Sequence, residues 1–253
     1  MPLLVDIFVT LAGACLGSFL NVLIYRLPQN LSIIRPSSFC PACRKPIAAL
    51  ENVPVISYLL LRGRCSGCKA PISVQYPLVE IITAVCALGL WLKCGLSLDF
   101  FLYLVFSGIL IVSSVIDLVH LLIPEVIVLP GIALGIALHI TEGTVLSSLA
   151  GIVLGGGLIY LVRVVGGLVY HREVMGFGDV ELAGMIGAFL GLKYTFIAIL
   201  LAALLGAVIA GIYLVCTKKE RQTPIPFGPF LSLGALLALY VQGLNLPFLN
   251  YYL

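Results

Sequence analysis

The chain has 253 residues, 61% of them hydrophobic and only 10% charged, with a formal net charge of +3. So large an apolar share excludes an ordinary soluble domain and points to a chain that crosses a membrane many times. The basic residues flank apolar runs, so the small positive charge gives no reason to expect a nucleic-acid partner.

In chain order the candidate spans are Leu3–Tyr25, Leu78–Leu92, Phe100–Asp117, Pro124–Ile140, Val145–Val165, Val180–Leu192, Tyr194–Val215 and Phe230–Gly243. The expected fold class is an all-α polytopic membrane protein of about eight transmembrane helices, with a small cytoplasmic zinc-binding loop domain between the first two. The second and sixth candidates are short for a bilayer crossing. MPLLVD has no basic region and opens a long apolar run, so it reads as a retained helix and not a cleaved signal. Three parts follow: a first helix over 1–25, a soluble loop over 26–76 and a membrane-embedded remainder over 77–253.

Orientation follows from lysine and arginine placement. With the N-terminus outside, 12 of the 14 basic residues fall on the cytoplasmic side, leaving only Lys93 and Lys193 opposite. The ends of the apolar runs that carry Asp117 and Asp179 then face the cytoplasm together.

The loop holds Cys40-Pro-Ala-Cys43 and Cys65-Ser-Gly-Cys68. Two CxxC turns at that spacing can close a tetrahedral zinc shell, with Arg44, Lys45, Arg64 and Lys69 offsetting its negative charge. A pair of disulfides is the bland alternative, disfavoured in a reducing cytoplasm. Four sulfurs leave no open position, so the metal is expected to be structural. A loop of about 50 residues needs such a staple. Cys15, Cys86, Cys94 and Cys216 read as packing residues.

Two acids remain inside apolar sequence, where a carboxylate costs roughly 2.5–3.5 kcal/mol at mid-depth and less at an edge. Asp179 follows Gly176-Phe177-Gly178 and reads on its own as a helix N-cap. Asp117 sits at a helix C-terminus, where the dipole opposes negative charge, and no lysine or arginine lies within four positions. Capping does not account for it. A loop aspartate in water, or a carboxylic acid hydrogen-bonded to another helix, are the remaining plain readings. If the two acids meet, they share a proton, and together they can activate a water and protonate a leaving amine. Helix position then makes Asp179 the ionised base and Asp117 the resting acid, with a bell-shaped pH–rate profile. Gly176 and Gly178 would let a substrate backbone approach.

Other residues carry weaker signals. Glu125 sits in a first helical turn, Glu181 faces away from Asp179, and Glu80 fits either a cap or a site neighbour. His120, His139 and His171 do not cluster. Gly13/Gly17, Gly131/Gly135, Gly151/Gly155 and Gly187/Gly191 suit close helix packing. The stretch QTPIPFGPF, with Pro224, Pro226, Gly228 and Pro229, reads as a non-helical entry loop.

Taken together these motifs resemble the type IV prepilin peptidase family, membrane-embedded aspartic proteases of the GxGD kind. The resemblance runs nearly end to end, through GSFLNVLIYRLP (17–28), the two CxxC motifs, NVPVISYLLLRGRCSGCKAPISVQYPLVEIIT (52–83), SVIDLVHLLIPEVIVLP (114–130), GFGDVELAGMIGAFLG (176–191) and PFGPFLSLG (226–234). It implies that Asp117 and Asp179 are catalytic. It also implies cleavage of basic leader peptides from prepilins and type II secretion pseudopilins at the cytoplasmic face of the bacterial inner membrane. N-methylation of the new N-terminus, with S-adenosylmethionine as donor, is implied as well, and the resemblance associates the loop over 26–76 with that activity. No strand–GxGxxG–helix unit is present to cradle that nucleotide. The family commonly has lysine where Glu181 stands and Pro-Asp where this chain has Pro124-Glu125. Leader recognition is expected to be local, through acids such as Glu125, Glu173 or Glu181. Prepilins, pseudopilins and membrane lipid are the partners implied; oligomeric state is left open.

Overall fold

Apolar runs that satisfy their own backbone hydrogen bonds become helices, and the computed structural model, which describes residues 2–171, 173–217 and 226–242, bears this out. Among the described residues there is no strand beyond two isolated bridges. The helices are α1 (Pro2–Arg26), α2 (Ile56–Leu60), α3 (Gln75–Cys94), α4 (Leu98–His120), α5 (Glu125–Thr141), α6 (Val145–Tyr170), α7 (Phe177–Thr217) and α8 (Gly228–Val241). Five of them, α1, α3, α4, α6 and α7, are long and apolar enough to cross a membrane; α5 and α8 are apolar but shorter. Many apolar side chains point outward, Leu146 at 80% exposure among them, as a lipid-facing helix requires.

Several elements differ from the sequence expectation. The second span is not short: α3 has 20 residues, because Gln75, Tyr76 and Pro77 form its first turn, where proline is tolerated. The sixth and seventh candidates run together as α7, broken at Gly191, which takes φ 67° and ψ −179° inside the helix. Gly228 and Pro229 are not loop but the first turn of α8. Residues 218–225, including Pro224, lie outside the described residues.

The chain divides into two compact units, Met1–Val112 and Ser113–Leu253. In the first unit α1 packs on α3. A Cβ at Gly13 would stand 2.6 Å from the Ala87 Cβ, and one at Gly17 2.7 Å from the Glu80 Cα, so both positions need glycine. Trp91 Nε1 donates to Asp6 Oδ1 at 2.9 Å, closing the other end of the pair. Cys86 is buried as expected, but Cys15 is exposed, because its face of α1 is uncovered. The side chain of Cys216 lies outside the described residues.

In the second unit α7 is central, contacted by α5, α6 and α8, with Leu182, Met185, Ile186 and Phe189 fully buried. Here too the paired small residues serve packing. A Cβ at Gly151 or Gly187 would overlap the other helix's backbone. Gly187→Val should therefore lower stability by more than the roughly 1–3 kcal/mol usual for overpacking, because backbone cannot step aside as a side chain can. Thermal unfolding in detergent checks this.

Candidate active site

Asp117 lies in the last turn of α4, and its backbone carbonyl accepts the Leu121 N–H at 3.0 Å as the helix ends. Its side chain is only 6% exposed, which removes the reading of a loop aspartate in water. Its Oδ2 accepts the Gly228 N–H at 2.9 Å, 111 residues further along the chain. Gly228 is the first residue of α8, so the carboxylate occupies that helix's N-terminus. Orphan N–H groups and the positive end of the dipole favour an anion there. A hydrogen bond to another helix is one of the plain readings left open by the sequence, and here that helix is α8. A Cβ on Gly228 would sit 2.7 Å from Asp117 Oδ2, so any larger residue would push the carboxylate from this N–H.

Asp179 is the third residue of α7, not its N-cap. From that position its carboxylate turns back to accept from the Gly176 backbone. It is 9% exposed, and its Oδ1 has no hydrogen-bond partner among the described residues. The two acids lie within electrostatic range of each other. What brings the ends of α4 and α7 together is the connection after α4: Ile123 packs on Gly178, where an added Cβ would stand 2.8 Å from the Ile123 Cβ. Gly178 thereby has a packing role of its own. Beside Gly176 the nearest atom to an added Cβ is Asp179 Oδ2, at 3.7 Å, so space remains there.

The other acids are placed less centrally. Glu181 keeps a buried Oε2 without a partner and feels the charge of Glu125. Glu173 is paired with Arg163 at 3.4 Å. Glu80 is buried in α3 and accepts the Val55 N–H at 2.7 Å, which resolves it as a cap in the first unit. Among the described residues the histidines join no metal cluster.

The four loop cysteines do converge. Their Sγ atoms all lie within 4.8 Å of one another. Cys40 and Cys68 stand 3.9 Å apart, and Cys43 and Cys65 4.0 Å. A disulfide needs about 2.05 Å, whereas four sulfurs around zinc at about 2.3 Å stand roughly 3.8 Å apart. The donor set fits a tetrahedral ion. Each knuckle is built alike: Arg44 N–H bonds Cys40 O and Lys69 N–H bonds Cys65 O, and Arg44 and Lys69 both take positive φ. The N–H groups of Cys68 and Gly67 favour the Cys65 thiolate and hold that thiol down to about 6.

With this geometry described, its kinship can be stated. The type IV leader peptidase family model matches residues 104–211, and that of the bacterial peptidase A24 N-terminal domain matches residues 11–94. A prepilin leader peptidase/N-methyltransferase of Aeromonas hydrophila is 34% identical over 94% of this chain and 91% of its own length. The chain belongs to the type IV leader peptidase family. A protein of the same description from Pseudomonas aeruginosa is 36% identical over 94% of this chain and 91% of the relative. A type 4 prepilin-like proteins leader peptide-processing enzyme of Escherichia coli is 33% identical over 96% of both chains. No solved structure matched. In this type IV leader peptidase the N-terminal match contains all four cysteines and the second match both aspartates. Gly228 lies beyond either match. Sequence reasoning missed it as a partner of Asp117; the available signal was Gly-Pro before an apolar run, a helix-start pattern.

Proposed function

We propose that this chain removes the leader peptides of type IV prepilins and type II secretion pseudopilins and N-methylates the new N-terminus. Relatives similar over nearly its whole length are named for both activities. The observation that carries the peptidase half is the pair of buried acids, each meeting a helix N-terminal backbone group, with α4 and α7 joined through Ile123 and Gly178.

The pair acts as one unit. One carboxylate takes a proton from a water, whose oxygen attacks the scissile carbonyl. The partner, protonated, gives its proton to the departing amine, and the proton balance closes without another group. Asp117 meets the start of α8 but also ends α4, and Asp179 opens α7, so helix polarity alone does not order base and acid. Shared-proton chemistry still gives a bell-shaped pH–rate profile. Gly228→Ala is expected to reduce cleavage about tenfold or more, the loss of one charge-assisted hydrogen bond of about 1.5–3 kcal/mol. Initial rates on a detergent-solubilised prepilin measure it, and an unchanged rate would remove the α8 contribution.

Zn2+ bound by Cys40, Cys43, Cys65 and Cys68 would tie the two knuckles, a structural role. S-adenosylmethionine, when bound, supplies an electrophilic methyl group to the unprotonated pilin amine. The setting we infer is a multi-pass protein of the bacterial inner membrane with the N-terminus outside and both acids at the cytoplasmic face, supported by the lysine and arginine distribution. Eight crossings follow if the two arms of α7 flanking Gly191 cross separately. Mass analysis of the N-terminus of a co-expressed prepilin reads truncation and the added methyl together. A precursor left intact would sink the peptidase reading.

A further inference from the structure

The stretch between α1 and α3 leaves apolar side chains outside its own fold, and hydrogen bonds to the two helices fix where they stand. α1 and α3 run antiparallel: Gly13 faces Ala87 and Gly17 faces Glu80, while Asn21 Nδ2 donates to Tyr76 O at 3.0 Å. Both helices are long and apolar enough to cross a membrane, so the end of α1 and the start of α3 lie at one membrane surface. Arg26, the last residue of α1, is buried and grips the chain that follows. Its Nη1 donates to Ser32 O at 2.8 Å and its Nη2 to Pro36 O at 2.7 Å. Held against the helix end in this way, the segment still exposes Leu31, Ile33 and Ile34, the last at 82%, with Arg35 exposed beside them.

α2 is placed by a similar tether. Val55 precedes it at φ 60° and ψ −48°, with Ile56 N–H closing on Pro54 O at 2.6 Å. The Val55 N–H donates at 2.7 Å to Glu80 Oε2, and Glu80 is only the sixth residue of α3. At 1.5 Å of rise per residue Glu80 lies about 8 Å into that helix, so α2 starts near the boundary of a candidate span. Ser57 turns inward and is buried, its Oγ donating to Val53 O. Ile56, Leu59 and Leu60 share another face at i, i+3 and i+4 and stay exposed, Leu59 at 67% and Leu60 at 78%. Arg62 and Arg64 follow, both exposed.

Apolar residues grouped in this way are a liability in water but suit a segment lying in a bilayer surface. Charge selects the kind of surface. Residues 26–76 carry seven basic residues and one acid, Glu51, which is already paired with Lys45 at 3.4 Å. Among the described residues none of Arg35, Arg62 and Arg64 is paired with an acid. Such a surface repels a basic peptide or a second copy of itself and attracts anionic headgroups. We propose that it is a lipid-binding foot. Both apolar sets enter the headgroup and upper acyl region of an anionic phospholipid surface, and Arg35, Arg62 and Arg64 meet its phosphates. The foot holds the cysteine knuckles against the bilayer, whichever reaction the chain performs.

The test uses the full chain with zinc retained, reconstituted in vesicles of phosphatidylcholine with or without phosphatidylglycerol. Leu60→Trp supplies the probe, its emission taken above that of the parent, whose single tryptophan is Trp91. In the anionic vesicles, phosphatidylcholine brominated along its acyl chains should remove most of the added emission, while aqueous acrylamide quenches it weakly. Arg62→Gln with Arg64→Gln, or salt raised to about 1 M, should lower the bromine quenching about twofold or more. Added emission open to acrylamide and untouched by brominated lipid overturns the proposal. Quenching that is the same with and without phosphatidylglycerol overturns the anionic partner. Shielding seen only at high protein-to-lipid ratio assigns the face to a second copy and overturns it too. Zinc content and circular dichroism report folding. Should Leu60→Trp misfold, the unaltered chain in anionic vesicles carrying a photoactivatable acyl chain decides: label within residues 31–64 supports the foot, and label confined to the spanning helices overturns it.

Discussion

Asp117→Asn and Asp179→Asn, made separately, should each lower prepilin cleavage by roughly 10²–10⁴-fold, the usual worth of a positioned acid or base. Asparagine keeps the size of aspartate, and its Oδ1 can still accept the Gly228 N–H that now meets Asp117 Oδ2. What disappears is the ability to take up or release a proton. On the proposal that the two acids share one proton, the double variant should be scarcely worse than either single one. Zinc content and methyl transfer to an already shortened pilin should be unchanged, which separates lost chemistry from a lost fold. Undiminished processing by either variant would reject the dyad. A loss confined to one variant would leave a single acid working with another group.

Cys40→Ser, or removal of zinc by a strong chelator, should have the opposite pattern. Structural zinc contributes about 10–16 kcal/mol of apparent binding energy to small domains, more than a loop of this size gains from its few buried side chains. Between Leu27 and Val74 the described elements are two 3-10 turns, the five-residue α2 and two isolated bridges, and besides the sulfurs the knuckles are linked by the Lys45–Ser66 hydrogen bond of 2.8 Å. Methyl transfer should vanish on metal loss while leader cleavage, which the proposal assigns to Asp117 and Asp179, continues. Atomic absorption on the parent should give one zinc per chain. A parent containing none, yet methylating normally, would remove the metal from the account.

The parts of this architecture legible beforehand are those encoded locally. The cysteine tetrad is visible because CxxC spacing forms each knuckle within a few residues, and the matched turns at Arg44 and Lys69 repeat the pattern. Asp117 and Asp179 are visible because an acid in apolar sequence demands a reason. Long-range partnerships were not legible. The Asp117–Gly228 contact joins distant segments, and the proline-rich stretch around Gly228 resembles loop more than helix start. The packing of Ile123 on Gly178 likewise joins segments that no local pattern connects. The start of α3 was missed because polar Gln75 and Tyr76 precede a proline, a pattern that reads as a boundary although the first helical turn accepts it. The Val55 turn has no sequence signature at all; only its tether to Glu80 shows why the chain holds that shape.

The α8 contact also bears on when such an enzyme becomes competent. A ribosome delivers Asp117 and Asp179 well before Gly228, so a growing chain that has reached Thr217 holds both acids but not the amide that orients one of them. Full hydrolytic power would arrive only once α8 is in place.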